Sequence, residues 1–404
     1  MNGPSFIGRR IPNRVLLTAV LIAPAFAAAQ TQAIPGRVFV DSNRNGVPDR
    51  GERGLAQVVL SNQDAVVTTD ASGNYRLSRG ATGVIFISVP DGYQTTRKFW
   101  RSVSDTTTAI DFPVTPTTRS RTFSFIHASD THIAQAVLSR IQRFRALADS
   151  LNPAFVIITG DLVRDALRVG EPEATGYYEL FGREAALFRS PVWTVPGNHE
   201  NFGIERDKSN VAATHPLYGR NMYRHYRGPD YYSFNHGGVH FVGLNSVDID
   251  DKWYYGHVDS AQLAWLERDL AMVPPAMPVV SFNHIPFFSS SEMLAGYTDD
   301  GLAPTLIRVG GKTTFRHTVS NAGEVLALLR KHRHVLALGG HIHAGESIEY
   351  EADNITTMFN QAPAIVGPRT SAGIRFHSGF MLYTVRDGVI DGGRFFSLGM
   401  DPRQ

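Results

Sequence analysis

The stretch VLALGGHIHAG, residues 335–345, joins a short apolar run to two histidines through a pair of glycines. Residues 335–338 predict a buried strand, because four apolar residues bounded by glycine suit a core strand better than a helix. His341 and His343 follow two residues apart. In extended backbone they would point to the same side, so that both imidazoles could bind one metal ion. The alternative is a pair of polar loop residues at a strand exit.

Polar side chains also follow four other short apolar runs of the chain. The runs are FSFIHASDTH at 123–132, FVIITGD at 155–161, VWTVPGNHE at 192–200 and VVSFNHIP at 279–286, and their polar residues are Asp130, His132, Asp161, Asn198, His199, Glu200 and His284. Apolar residues at helical spacing separate several of these runs, which predicts alternating strands and helices. In α/β architecture ligands bind beyond the carboxyl ends of strands, so we expect these loops to converge with GGHIH.

Each of these residues has an ordinary alternative. Asp130 could be the N-cap of a helix, and Asp161 could shape a turn after its glycine. Together with the two C-terminal histidines, however, they form a set of nitrogen and oxygen donors without a thiolate, and one shared carboxylate would divide such a set between two metal ions. The set is Asp130, His132, Asp161, Asn198, His284, His341 and His343.

The spacing D-x-H, G-D, G-N-H-E, a lone histidine after a strand and G-H-x-H resembles the calcineurin-like metallophosphoesterase family over residues 123–345. The resemblance implies the α/β fold class, as a four-layer α/β/β/α sandwich, and metal-dependent hydrolysis of phosphoric esters. It further implies one metal held by Asp130, His132 and His343, a second held by Asn198, His284 and His341, and Asp161 as the bridge. Phosphodiesterase and phosphomonoesterase activity both remain open.

A pair of cations explains the chemistry that the resemblance implies. Two cations about 3.5–4 Å apart can clamp a phosphoryl group and lower the pKa of a bound water, so a metal-bridging hydroxide is the expected nucleophile. His199, one residue past a ligand, is placed for the phosphate or the leaving oxygen, and the resemblance implies that it is the general acid. Imidazole with carboxylate suits manganese, iron and zinc alike, which leaves the two metals unassigned.

Arg164 marks a departure from one branch of the family. The purple acid phosphatases carry a tyrosine ligand three residues after the bridging aspartate, and this chain has Arg164 there, so no iron–tyrosinate colour is expected. The arginine could reach the substrate phosphate, or it could be a surface residue at a strand–helix junction. Residues 287–319 form a long insertion that could wall the site.

Tyrosines and arginines interleave in YGRNMYRHYRGPDYY, residues 218–232. Aromatic rings and cations of this kind could bind a nucleotide or another aromatic phosphoester. The alternative, which we favour, is a segment that packs on its own aromatic side chains.

Residues 30–118 predict a small all-β sandwich, because short β-branched and aromatic runs alternate with glycine, asparagine and aspartate clusters. Within it DSNRNGVPDRGE, residues 41–52, fits the twelve-residue calcium loop, and the region resembles the calcium-stiffened SdrD B-like modules of bacterial surface proteins. The expected calcium ligands are Asp41, Asn43, Asn45, Val47, Asp49 and Glu52. Such a calcium ion would be structural; the alternative is a polar hairpin loop without metal.

Residues 1–29 have the pattern of an export signal, with three arginines, a short apolar stretch and small residues before the expected cleavage point. We expect a periplasmic or secreted protein, exported by the secretory or the twin-arginine route. Removal of the leader takes three arginines from a net charge of +2 and leaves about −1, so no general nucleic-acid binding is expected. The chain has no cysteine, and we expect no membrane-spanning segment after the leader.

The sequence therefore predicts three parts: a leader at 1–29, a β-sandwich module at 30–118 and a metallophosphoesterase catalytic domain at 119–404. The leading hypothesis is an exported hydrolase of phosphoesters that uses two metal ions. The alternative is a catalytically inactive envelope binding or scaffold protein on the same fold, against which the complete ligand set argues. The substrate, the native metals and the oligomeric state are not predicted.

Overall fold

The computed structural model describes residues 33–290, 306–352, 354–371 and 374–399, together with Met1 and Gly3. Apart from those two positions, the predicted leader lies outside the described residues, as does the middle of the insertion at 287–319. The chain divides into Met1–Gln32 and one compact unit, Ala33–Gln404. Among the described helices, none combines the length and the apolar character that crossing a membrane requires.

The first part of the compact unit is an all-β region of two four-stranded sheets, as predicted. Its strands are short because glycine, asparagine and aspartate turns interrupt the apolar runs. The sheet orders are β4-β1-β8-β6 and β3-β2-β5-β7, with β1 and β8 parallel. The strands are β1 (Ile34–Val40), β2 (Val59–Ser61), β3 (Val66–Thr68), β4 (Asn74–Leu77), β5 (Val84–Ile87), β6 (Tyr93–Thr95), β7 (Trp100–Ser102) and β8 (Phe112–Pro116).

The predicted calcium loop begins directly after β1. Asp41 is buried, and its carboxylate accepts the backbone N–H of Asn45 at 3.1 Å. The side-chain amides of Asn43 and Asn45 both donate to Oδ2 of Asp49 at 2.7 Å, and Glu52 accepts the N–H of Asp49 at 3.0 Å. The loop therefore folds its three carboxylates back onto itself. Calcium binding there stays a prediction.

The second part of the unit alternates strands and helices. Its helices are α1 (Leu138–Leu151), α2 (Glu171–Ala185), α3 (Arg206–Ser209), α4 (Arg220–Arg227), α5 (Ser260–Leu270) and α6 (Ala322–Leu329). Its strands are β9 (Thr122–Ala128), β10 (Phe155–Thr159), β11 (Val192–Val195), β12 (Tyr232–His236), β13 (Val239–Gly243), β14 (Val247–Asp250), β15 (Trp253–Gly256), β16 (Pro278–Phe282), β17 (Leu306–Val309), β18 (Lys312–Phe315), β19 (Arg333–Gly339), β20 (Glu346–Ala352), β21 (Ile355–Gln361), β22 (Arg369–Ser371), β23 (Ile374–Phe376), β24 (Gly379–Arg386), β25 (Val389–Ile390) and β26 (Arg394–Ser397).

Two six-stranded mixed sheets face each other in this part. The first has the order β11-β10-β9-β24-β25, with β26 also paired to β24, and the second has the order β12-β13-β16-β19-β21-β20. Aromatic rings fill the space between them: Phe155 of the first sheet makes edge contacts with Phe234 and Phe241 of the second, at 5.3 and 5.1 Å between ring centroids. Burial of such rings is a major source of stability.

Helices cover the outer faces of both sheets. Phe144 of α1 and Phe181 of α2 share a buried cluster with Val156 of the first sheet. Trp265 of α5 and Val325 of α6 belong to the core that includes the second sheet. These layers confirm the predicted α/β/β/α sandwich preceded by an all-β region.

The all-β region shares its core with the second part. The indole N–H of Trp265 donates to Ser61 Oγ at 3.2 Å, and its ring lies 6.4 Å from that of Phe86. The buried amide of Gln63 donates to the backbone oxygen of Tyr231 at 2.9 Å. Because one core crosses the predicted boundary between residues 118 and 119, the division into separate domains there stays a prediction.

Candidate metal centre

Five of the predicted ligands have left-handed backbone. The φ angles are 55° at Asp130, 39° at His132, 48° at Asp161, 70° at His341 and 59° at His343. These five are among thirteen non-glycine residues with positive φ in the described chain. Such backbone costs roughly 1–3 kcal/mol per residue and persists where the surroundings enforce it. Five of the strained positions therefore lie where strands end at the site.

The first group of side chains converges from both sheets. Nε2 of His343 lies 3.0 Å from Oδ1 of Asp130, and Nε2 of His132 lies 3.2 Å from Nε2 of His343. Nε2 of His132 is also 3.5 Å from Oδ2 of Asp161. Oδ1 of Asp130 is buried and has no hydrogen-bond partner among the described residues. A cation bound by all four side chains would satisfy that oxygen.

The second group converges on His284. Nε2 of His284 lies 3.2 Å from Oδ1 of Asn198, 3.1 Å from Nδ1 of His341 and 3.3 Å from Oδ1 of Asp161. His341 and His343 thus belong to different groups, and their backbone is left-handed. The extended backbone expected at these two histidines was wrong, because the chain turns at each of them.

Asp161 is the one side chain common to both groups. Its Oδ2 faces His132, its Oδ1 faces His284, and Oδ1 also accepts the backbone N–H of His199 at 3.0 Å. A carboxylate that presents one oxygen to each group has the geometry of a bridge between two metal ions. The donors are imidazole, carboxylate and amide without thiolate, which fits two divalent cations of the manganese, iron or zinc type.

Comparison with known families agrees with this geometry. Residues 123–345 match the model described as calcineurin-like phosphoesterase, over more than half of the chain. The chain belongs to the calcineurin-like phosphoesterase family. Residues 42–117 match a second model, described as the N terminal of calcineurin-like phosphoesterase. The all-β region is therefore related to regions found in this family, and its resemblance to SdrD B-like modules stays a prediction.

Named relatives of this calcineurin-like phosphoesterase include phosphodiesterases. A 3′,5′-cyclic-nucleotide phosphodiesterase of Nostoc sp. is 26% identical over 216 residues, which cover 53% of this chain and 63%, less than two thirds, of the relative. The 3′,5′-cyclic adenosine monophosphate phosphodiesterase CpdA of Escherichia coli is 21% identical over 288 residues, covering 65% of this chain and 82% of CpdA. A solved dimetal phosphatase from Danio rerio aligns with a TM-score of 0.44 and 15% identity over 69% of this chain and 97% of that protein.

Charge within the phosphoesterase site favours ionised side chains. Burial raises the pKa of Asp130, but the charge of His343 and the close approach of His132 and His343 outweigh burial and hold that pKa well below its usual range. Burial lowers the pKa of His132 and of His284, yet the nearby aspartates raise both to about 9. A cation that binds these nitrogens must displace protons, so metal affinity rises with pH.

Backbone carbonyl groups orient two of the histidines. Nδ1 of His132 lies 3.4 Å from the backbone oxygen of Arg164, and Nδ1 of His284 lies 2.7 Å from that of Thr159. These contacts fix the tautomers that leave Nε2 for a metal ion. Arg164 therefore contributes its backbone oxygen to the site, whereas its side chain is exposed.

His317 is a neighbour of the site that the sequence reasoning missed. Its Nδ1 lies 2.6 Å from Nε2 of His341, and the two rings stack with centroids 4.9 Å apart. His341 can therefore donate from Nε2 to His317 while Nδ1 remains for a metal ion. The signal that identified His284, a histidine just after a strand, also applies to His317, which follows β18.

His199 lies beside the two groups and belongs to neither. Its Nε2 is 3.8 Å from Oδ2 of Asp161, and its ring meets that of His132 edge-on at 4.6 Å. Its buried Nδ1 lies 3.8 Å from Oδ1 of Asp165, a second residue that sequence reasoning missed. Burial is the main cause that lowers the pKa of His199, although the charge of Asp161 opposes it.

Glu200 holds the loops of the site together. Its buried carboxylate accepts the backbone N–H groups of Asp161 at 2.9 Å, Val163 at 3.0 Å and Gly197 at 2.6 Å. Burial and the charge of Asp161 raise the pKa of Glu200 to about 7. Position 197 must be glycine because its backbone lies close to the carboxylate of Asp161, and a Cβ there would lie 2.2 Å from Oδ1.

We predict that His317→Ala weakens metal binding in the group of His284 and His341. The lost hydrogen bond no longer fixes the tautomer of His341, and loss of such a partner typically weakens metal affinity about 10–100-fold. His317→Gln should restore part of the affinity, since its amide oxygen can accept from His341. Metal content after equilibrium dialysis against buffered Mn²⁺ or Zn²⁺ measures the effect. Two equivalents bound by His317→Ala with unchanged affinity would contradict the assignment.

Proposed function

We propose that this protein is a dimetal hydrolase of phosphoric esters. The observation that carries the proposal is the carboxylate of Asp161, whose two oxygens face two separate groups of nitrogen and oxygen donors at 3.3 and 3.5 Å. Bound there, two cations would supply charge neutralisation at the phosphoryl group and a water-derived nucleophile near neutral pH. Membership of the calcineurin-like phosphoesterase family supports this reaction class.

We assign to His199 the transfer of a proton to the leaving oxygen. Its imidazole lies between two carboxylates. Nε2 is 3.8 Å from Oδ2 of Asp161, and Nδ1 is 3.8 Å from Oδ1 of Asp165. Asp165 is itself held by Arg168 at 2.9 Å, which fixes the position of this carboxylate. A proton on Nε2 of His199 can then pass to an oxygen that departs beside the group of His132.

A scaffold protein without activity is the alternative function. The complete set of donors, together with the strained backbone at five of them, favours the enzyme, since a scaffold has no use for these features. Export is proposed on a different basis, the pattern of arginines, apolar residues and small residues within 1–29.

We predict that Asp161→Asn abolishes hydrolysis and lowers the metal content of both groups. Asparagine keeps the shape of the side chain but offers only one oxygen and no charge to the two cations. Metal analysis and hydrolysis of one aryl diester and one aryl monoester measure the result. Asp251→Asn is the control, because that carboxylate is exposed and pairs with Arg206 away from the donors. If Asp161→Asn kept both metals and a near-normal rate, the bridge would be misassigned. If the unmodified protein bound no metal and hydrolysed neither ester, the result would support the scaffold.

We predict that His199→Gln slows substrates unequally. A general acid typically contributes about 10²–10⁴-fold, and a strongly basic alkoxide leaving group needs its proton most. An alkyl phosphoester should therefore lose far more rate than a nitrophenyl phosphoester, whose leaving group departs readily without a proton. Equal losses for both, with metals bound and chemistry rate-limiting, would show that His199 stabilises charge on the phosphoryl group instead.

We also propose a structural calcium ion in the loop at 41–52, supported by the inward-turned carboxylates described above. We predict that millimolar Ca²⁺ raises the melting temperature of the protein and that Glu52→Gln removes this response, since extracellular loops of this kind bind at about 10⁻⁴–10⁻³ M. Turnover per folded enzyme should hardly change. Asp105→Asn, an exposed change in the same region, is the control. An equal calcium response in both variants would exclude the loop as the binding site.

A further inference from the structure

Most cations and phenols of the segment at 218–232 have partners within the protein. Arg220 pairs with Asp248 and Asp259, each at 2.8 Å, and Arg224 pairs with Asp230 at 2.9 Å. The hydroxyls of the segment's buried tyrosines likewise donate to backbone oxygens, which agrees with the interpretation that this segment packs within the protein. The exception among these arginines is the last one, Arg227.

Arg227 is a partly buried cation without a carboxylate. It lies in the last turn of α4, with its guanidinium carbon 5.0 Å above the ring of Phe181. Its Nε is buried and has no hydrogen-bond partner among the described residues, and no described acidic side chain pairs with it. Buried charges are normally paired, because removing an ion from water without a counter-charge is costly. The ring of Phe181 offsets only part of that penalty.

Arg227 faces a cavity of about 160 Å³ between the all-β region and the second part of the unit, which we name the junction cavity. Lys98 and Trp100 line it from the all-β side, and Trp193 of the edge strand β11 and Tyr226 line it from the other. The ammonium of Lys98 lies 4.5 Å from the ring of Trp100. None of the described residues that line the cavity is acidic.

The junction cavity has two cations in its lining, Lys98 and Arg227, and no acidic side chain among the described lining residues to balance their charge. Burial lowers the pKa of Arg227. Lys98 is largely exposed, yet partial burial lowers its pKa, and the positive charges of Arg227 and Arg101 lower it further. A cation pair of this kind is relieved by an anion between its members, and the aromatic walls keep that anion from full hydration.

We propose that the junction cavity binds a dianionic phosphate group between Lys98 and Arg227. A guanidinium fork matches the paired oxygens of a phosphate, and two negative charges balance the two cations, whereas one carboxylate would leave a positive charge uncompensated. On the same measure of volume one water needs about 10–15 Å³, so a cavity of about 160 Å³ accommodates one tetrahedral oxyanion. It contains none of the metal-centre residues, so the inference does not depend on the proposed hydrolysis.

The phosphate group could be free orthophosphate or the end of a larger ligand, and two probes distinguish these sources. Orthophosphate tests the free ion, and phenylphosphonate tests a dianion with an attached ring that could lie on the aromatic walls and has no ester bond to hydrolyse. Trp100 and Trp193 are two of the four tryptophans of the chain, so intrinsic fluorescence can report binding. Titrations use the metal-loaded protein, with chloride and acetate at matched ionic strength as references.

We predict a saturable fluorescence change with at least one dianion and none with the reference ions. Arg227→Gln and Lys98→Gln should each weaken binding about 10–100-fold, the effect of losing a charge-assisted hydrogen bond. Arg330→Gln is the matched control, since Arg330 also lies over a ring, that of Tyr350 at 4.6 Å, outside the cavity. A response that survives in both cavity variants would place the anion elsewhere, for example at the metal centre, and would overturn the proposal.

A stability measurement separates binding from packing. Lys98 is exposed, so that Lys98→Gln tests the cavity with little effect on folding. In chloride, Arg227→Met should be as stable as the unmodified protein or more stable, because it removes an uncompensated charge. Phosphate should raise the melting temperature of the unmodified protein but not that of the variant. If Arg227→Met were less stable in chloride and phosphate had no effect on either, Arg227 would be a packing residue and the proposal would fail.

Discussion

The position of Asp161 between two groups of donors constrains the rest of the structure. Its two oxygens can face two groups of donors only if the loops after β9, β10, β11, β16 and β19 end within a few ångströms of one another. The backbone meets that demand by turning left-handed at five donors, and the carboxylate of Glu200 ties the Asp161 loop to Gly197. Strain at the strand ends is thus compensated by hydrogen bonds and burial nearby.

The packing of the two sheets determines whether these donors meet. Each group draws side chains from both sheets: Asp130 and His132 meet His343, and Asn198 meets His284. A shift of one sheet past the other would therefore disturb both groups together. The interlocked phenylalanines between the sheets oppose such a shift, because a close-packed core has few alternative arrangements.

The strand-end pattern predicted much of the fold and which side chains converge, because parallel strands bring their carboxyl ends to one edge. The left-handed backbone could not be predicted, since histidine and aspartate show no local preference strong enough to require it. Asp165 was missed because it becomes a neighbour of His199 only through the fold. His317 was missed because the strand before it, β18, is polar and does not have the apolar pattern that identified His284. In the sequence Arg227 looks like its neighbours Arg220 and Arg224. Only the structure shows that those two pair with aspartates, whereas Arg227 pairs with no described carboxylate.

The contact of the all-β region with α5 bears on how such proteins diversify. Trp265 presents its ring to Phe86 and its indole N–H to Ser61, so part of the core that includes the second sheet is completed by residues from the first quarter of the chain. The all-β region thus covers apolar surface of α5, and recombination could not replace it with an unrelated region without exposing that surface. A descendant that lost it would have to replace a tryptophan-sized apolar surface with polar side chains or with a new partner.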